Sequence, residues 1–406
     1  MSFIYNLFII IFEITLKLNS SFNDKNKKII LGRKRTIDYI KNNIGDQEIV
    51  WIHVASVGEF EQAKPIIDSI KKKHTNKILV SYFSSSAESA VLKNKNVDFH
   101  FYMLSDKVNQ MKLLFDLLNP KILILIKYEF WKNLIHQAKL NSIPIVSISS
   151  VFRKNQIYFY PIMFFRNILK NITLFLVQDK NSMDLLKKIK IKKVKVIGDS
   201  RYDRVLKIFQ ESKKIDGVEE FVNKKNTVII GSAWKSDIEK IKNEIIRDLT
   251  DTKYIIAPHN INSKEIEYLE NTFINDTIKF SELPQKNVRK RILIIDNVGM
   301  LSSIYKYGKI AFIGGGFRGT LHNTLEAAVW NLPVIYGLHK NNRKFIEVDR
   351  IEKEGIGFPI KNGNEFKLIK NRILKNRNIG NGGNEFIKMN SGATEKINHY
   401  LKEYLK

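Results

Sequence analysis

The chain contains no cysteine, which excludes a disulfide framework, a thiolate metal site and a cysteine nucleophile, and fits a reducing compartment. No H-E-x-x-H, no D-x-D and no Asp/His cluster at ligand spacing occurs, so no metal is expected. No glycine run leads into G-K-[S/T], and there is no G-x-S-x-G elbow, which removes the P-loop and α/β-hydrolase classes. No repeat of roughly 20–50 residues is visible. Acidic residues are scarce: 41 Asp and Glu stand against 68 Lys and Arg, a formal net charge of +27. Three origins compete for that charge: nucleic acid, an anionic membrane with a phosphorylated ligand, or Lys-rich drift on solvated faces. No nucleic-acid module signature is present.

The 406 residues, 44% hydrophobic and 11% aromatic, suit two or three domains with real cores. Residues 3–16, FIYNLFIIIFEITL, are apolar but short for a membrane span and interrupted by Asn6 and Glu13. They have neither the basic flank nor the cleavage site of a signal peptide. Lys25, Lys27, Lys28, Arg33, Lys34 and Arg35 follow. The combination reads as an interfacial anchor, residues 1–22, on an anionic leaflet; a buried first helix is the alternative.

From residue 48, short apolar runs alternate with longer amphipathic stretches. One series is 49–54, 78–83, 122–126, 144–148, 173–177 and 194–197; a second is 227–230, 253–257, 292–296, 309–313 and 333–336. Continuous apolar strands between helices signal parallel sheets covered on both faces. The expected fold is α/β, two doubly wound Rossmann-like domains at 23–198 and 199–392, with a helix over 393–406 packing back across them. Residues 371–392 are expected to form a loosely ordered connection.

Ligands in such domains sit beyond the carboxyl ends of the strands. After 49–54 comes Ser56-Val57-Gly58-Glu59, which suits either a capping box or a general base in Glu59. After 122–126 comes Glu129, among Tyr128, Phe130 and Trp131. After 309–313, Gly314, Gly315 and Gly316 would let backbone approach a ligand, and Asn323 would cap a helix with Glu326 at its third position, exposing N–H groups to an anion. Gly231-Ser232, Pro258-His259 and Val298-Gly299-Met300 mark other strand ends. The patch 152–170 interleaves aromatics with Arg153, Lys154, Arg166 and Lys170, which fits single-stranded nucleic acid, a lipid contact or a core helix with a basic face.

In order and spacing, WIHVASVGEFEQAKPII, YEFWKNL, the GDSRYD turn and HNTLEAAVWNLPVIYG resemble the 3-deoxy-D-manno-octulosonic acid (Kdo) transferases. These are GT-B glycosyltransferases, with two domains facing across a cleft, that move Kdo from CMP-Kdo onto a lipid A precursor. The resemblance spans nearly the whole chain. It implies that Glu59 is the general base, that Glu129 supports the transition state and that Arg201, where the family usually has Lys, faces the departing phosphate. It assigns CMP-Kdo binding to Pro258, His259, Val298, Gly299, Met300, His322, Asn323, Thr324, Leu325 and Glu326, to which the glycine-rich turn adds Gly315 and Gly316. Acceptor or membrane contact falls to Arg33, Lys34, Arg35 and Arg153. It further implies inverting transfer without metal or cofactor at the cytoplasmic face of the inner membrane, with the chain monotopic through its N-terminal helix and no nucleic-acid partner. A GT-B enzyme using a UDP-sugar, epimerase or transferase, is the alternative; a basic nucleic-acid-binding protein is the non-enzyme one.

Overall fold

Strands made almost wholly of Ile, Val and Leu need both faces covered, and here they pair in parallel between layers of helices. The computed structural model describes residues 1–285, 290–376 and 378–406, which divide into two units: Met1–Arg204 with Ser391–Lys406, and Val205–Asn390.

The first unit holds β1 (Glu48–Val54), β2 (Lys77–Tyr82), β3 (Phe99–Tyr102), β4 (Asn119–Ile126), β5 (Ile145–Ser150), β6 (Leu174–Val177) and β7 (Val194–Val196). Their order is β3-β2-β1-β4-β5-β6-β7, so the winding reverses between β1 and β4. Alternation in β1 sends Trp51 into one core layer and Val50 and Ile52 into the other. The helix Ala393–Leu401 belongs to this unit. Its Ile397 and Leu401 complete one core layer, Asn398 bonds Ser69 on the helix Val57–Lys73 at 2.6 Å, and Asp203 accepts from the Gly392 and Thr394 N–H groups.

The second unit holds β8 (Thr227–Ala233), β9 (Lys253–Pro258), β10 (Thr277–Lys279), β11 (Ile292–Ile294), β12 (Ile310–Ile313), β13 (Val334–Gly337) and β14 (Gly357–Ile360). The order β10-β11-β9-β8-β12-β13-β14 reverses between β8 and β12.

The sequence reading misses three strands, β3, β10 and β14, and each is an edge of its sheet. An edge strand has one neighbour and less cover, so it need not be continuously apolar. β14 even tolerates Pro359. A second correction concerns residues 371–392. They contain most of the last turns of a helix over Gly363–Lys375 and a helix over Gly383–Asn390, with Ile373, Phe386 and Ile387 buried. The Asn- and Gly-rich stretch between the helices hides their periodicity.

Candidate active site

In the first unit the carboxylates gather where the winding reverses, beyond β1 and β4. The helix after β1 starts at Val57, with Ser56 as N-cap residue, but the Ser56 hydroxyl makes no cap bond. The Glu59 Oε2 instead accepts from the Ala55 N–H, one residue before the N-cap, so neither arm of the capping box is formed. Glu129 lies in the turn between β4 and the helix Lys132–Leu140, which opens with Lys127 in the left-handed region (φ 61°). The Trp131 Nε1–H donates to Glu129 Oε2 at 2.9 Å, and His53 Nε2 stands 3.6 Å from the same oxygen. His53 is fully buried in β1, edge-on to Trp131, with Nδ1 2.9 Å from the Ser81 hydroxyl, which also accepts from Trp51.

Burial, and then the charge of Glu129, push the Glu59 carboxyl up to about 7 against the hydrogen bond from Ala55 and the charges of Lys127 and His53. That is where a general base working near neutral pH belongs. Arg201 folds back on its own turn. Its guanidinium holds Asp199 through Nε at 3.0 Å and Nη2 at 2.7 Å. Burial works to raise Asp199, but Arg201 and Lys127 outweigh it and keep the carboxyl below its ordinary range. The Arg201 charge is therefore largely matched by Asp199.

In the second unit the expected strand-end residues come together in part. Trp234, directly after β8, stacks on His259 after β9 (ring centroids 3.9 Å apart), and His259 lies 4.6 Å from His322. The Trp234 indole donates to His322 Nε2 at 3.1 Å, and the Arg318 guanidinium lies 4.4 Å from the centre of the Trp234 ring. Burial, and then His259, push His322 down to about 4, so its ring is neutral at physiological pH. Trp234 and Arg318 are absent from the sequence-level candidates. The strand-end rule that singled out Gly231-Ser232 points to Trp234 once β8 is extended to Ala233.

Other candidates are placed differently. A Cβ on Gly314 would strike the Ser232 carbonyl, one on Gly315 the Thr320 carbonyl and one on Gly316 the Gly337 backbone. Each of these glycines therefore makes room for protein backbone. Gly315 also donates its N–H to the buried Asp237 at 2.8 Å. The expected helix after Asn323 is one turn, Leu325–Ala328, too short for an appreciable macrodipole. Asn323 caps only locally: its Oδ1 accepts from the Leu325 N–H at 3.2 Å, and its Nδ2 donates to Glu326 at 3.1 Å. The side chains of Leu325 and Thr324 are buried, as is Pro258, which leaves them backbone to offer. Val298 and Gly299 are exposed in the loop after β11, and Met300 is half-buried. Among the described residues no group of three or more His, Asp or Glu is arranged to hold a metal ion.

The helix Ser2–Asn19 carries exposed Phe3, Ile4, Phe8, Ile11 and Ile14, and it is long and apolar enough to cross a membrane by length and composition. Three of its polar residues turn inward: Tyr5 bonds Asp106, Asn6 bonds Asn133, and Glu13 pairs with Lys107 and Arg33. Arg33, expected at the membrane or acceptor, is directed into the unit. It donates to the Met103 carbonyl at 2.9 Å and lies over Phe83, where burial lowers it to about 10. Lys34 and Arg35 are exposed and Arg153 is half-buried. Around Arg153 the rings of Phe152, Tyr158, Phe159 and Phe165 pack edge-on against one another or the core, which fits the core-helix reading of 152–170 and leaves few free faces for bases.

A family model described as 3-deoxy-D-manno-octulosonic-acid transferase matches residues 30–204. The 3-deoxy-D-manno-octulosonic acid transferase of Aquifex aeolicus is 30% identical, over 80% of this chain and 86% of that protein. The one from Haemophilus influenzae is 26% identical, over 88% and 87%. Among solved structures, a UDP-GlcNAc 2-epimerase from Neisseria meningitidis superposes with a TM-score of 0.60 at 14% identity, covering 88% of this chain and 100% of that one; MurG of Acinetobacter baumannii does so at 0.54 and 9%, covering 88% and 99%. The structural likeness shows a GT-B fold, two Rossmann-like units, and does not separate epimerase from transferase. The sequence relationship does, and the chain belongs to the Kdo transferase family of glycosyltransferases.

Proposed function

We propose that the chain transfers Kdo from CMP-Kdo to a sugar hydroxyl of a lipid A precursor in lipopolysaccharide synthesis, with Glu59 as general base. The observation that carries this reading is Glu59 itself, half-buried beyond β1, held at about 7 and beside a second carboxylate. Ionised Glu59 takes the acceptor hydroxyl's proton as the oxygen attacks the anomeric carbon. CMP leaves from the opposite face, which inverts that centre. Glu129, fixed by the Trp131 indole, provides negative charge for the positive character that develops on the sugar ring. Arg201 faces the departing phosphate, its charge moderated by Asp199. The exposed backbone after β11 and the Trp234–His259–His322 cluster hold the nucleotide.

The N-terminal helix then lies on the cytoplasmic face of the inner membrane rather than crossing it. Crossing would strip Tyr5, Asn6 and Glu13 of their partners in the first unit, whereas lying flat keeps those bonds and buries Phe3, Phe8 and Ile11 in lipid. Lys34, Arg35 and their basic neighbours meet anionic headgroups. The test is incubation with CMP-Kdo and a tetra-acylated, bis-phosphorylated lipid A precursor, with mass spectrometry of the lipid. A mass gain of Kdo units is expected. No gain, or a gain only from a UDP-sugar, overturns the proposal.

A further inference from the structure

The helix Lys132–Leu140, which follows the Glu129 turn, has no cap of its own. Its N-cap residue is Trp131, whose indole is a donor only, so no side chain at that position can accept from the first N–H groups. Those groups are nevertheless met, and the acceptors come from distant segments. The Lys132 N–H reaches the Tyr5 hydroxyl at 3.3 Å, the Asn133 N–H reaches Asp106 Oδ2 at 2.9 Å, and the Leu134 N–H reaches Asp106 Oδ1 at 2.8 Å. The Tyr5 O–H donates to Asp106 Oδ2 at 2.6 Å, across a sequence separation of 101 residues. Asn133 adds two bonds from its side-chain amide, to the Asp106 carbonyl and to Asn6 Oδ1, the latter at 3.0 Å. Asp106 is almost wholly buried.

We infer that Tyr5 and Asp106 are positioning residues for the transfer reaction: together they cap the helix that follows the catalytic turn, and so hold Trp131 where its indole fixes Glu129. The route is short. The cap sets the backbone at 132–134, Trp131 is the residue before it, and the Trp131 Nε1–H donates to Glu129 at 2.9 Å. Half of the device stands on the N-terminal helix, so the element with the exposed apolar face is also part of the active site's support. The inference rests on the assignment of Glu59 and Glu129 made above.

The test uses the full chain in detergent micelles with a lipid A precursor, which removes recruitment to a bilayer as a variable. Tyr5→Phe keeps the ring beside Phe164 and loses both bonds of the hydroxyl. Asp106→Asn keeps one acceptor oxygen. Each is expected to lower kcat roughly tenfold, in the range a small misplacement of a catalytic group causes, with KM for CMP-Kdo changed less than about twofold. The deciding readout is the acid limb of kcat. Glu59 faces Glu129, Lys127 and His53, and loosening Glu129 weakens the like charge that raises Glu59. The limb therefore moves to lower pH in both variants. A merely structural role would lower the active fraction and leave the limb in place, and that result overturns the inference, as does an unchanged kcat. Glu59→Gln is run alongside. If it retains turnover, the base assignment itself fails. If it is dead while Tyr5→Phe and Asp106→Asn match the wild type, only the positioning role fails.

Discussion

Exchanging Glu59 for Gln keeps the side chain's size and an oxygen for the Ala55 N–H, but removes the capacity to take a proton. In the wild type, burial and then the Glu129 charge hold the carboxyl at about 7, against 4.5 for the free side chain. Because the folded value lies above the unfolded one, the carboxyl's contribution to stability is complete below pH 4.5 and is gone once the pH passes about 7. The gap corresponds to at most about 3 kcal/mol, less whatever solvent reaches this half-buried group. Gln carries no such cost. At about pH 8 the variant should therefore melt above the wild type, by about 2–4 °C for each kcal/mol recovered, while near pH 4 the two should almost coincide. Transfer, in contrast, should fall by roughly 10²–10⁴. Scanning calorimetry at the two pH values, with CMP release as the activity assay, reads both effects. A variant that melts below the wild type by the same margin at both pH values, or one that turns over normally, would refute the reasoning.

Glu129→Gln should move the acid limb of kcat below about 7 without bringing it to 4.5, because burial rather than Glu129 is the larger cause; a stopped-flow or discontinuous pH profile checks this. His322 should remain neutral from about pH 5 to 8 with its proton on Nδ1, since Nε2 accepts from Trp234; nitrogen-15 shifts that titrate above about 6 would contradict it. Phe8→Ser with Ile11→Ser should cut binding to anionic vesicles, and added salt should weaken the wild type's binding as well; cosedimentation measures both. Gly316→Ala should destabilise the second unit by about 1–3 kcal/mol through collision with the Gly337 backbone, seen as a lower denaturant midpoint.

The central strands, and the two carboxylates beyond β1 and β4, can be read from the sequence because a strand covered on both faces is a local apolar run. What fails is set by partners far away in the chain. Whether a strand is an edge depends on the sheet order, so β3, β10 and β14 leave weak local signals. Gly314–Gly316 announce close approach, but nothing local says that the approaching group is the backbone of Ser232, Thr320 and Gly337. Arg33 looks like its basic neighbours in sequence and differs from them only through Met103, Phe83 and Glu13. His53 does leave a trace, as the one polar residue in the middle of β1, where a polar group demands a partner. The cap made by Tyr5 and Asp106 leaves only the negative clue that Y-E-F-W-K-N offers no acceptor at its N-cap.

The discontinuity of the first unit has a consequence for synthesis. Ala393, Ile397, Leu401 and Leu405 fill a core layer whose other buried members lie before residue 204, and all of Val205–Asn390 is made in between. At ribosomal speed that interval is roughly 10–40 s. During it, the face of Val57–Lys73 that will receive the last helix has no cover, and Asp203 has not met Gly392 and Thr394. Glu59 stands in the first turn of that same helix. The nascent first unit thus waits with one core layer open, and Glu59 stands on a helix whose cover is made well over three hundred residues after it.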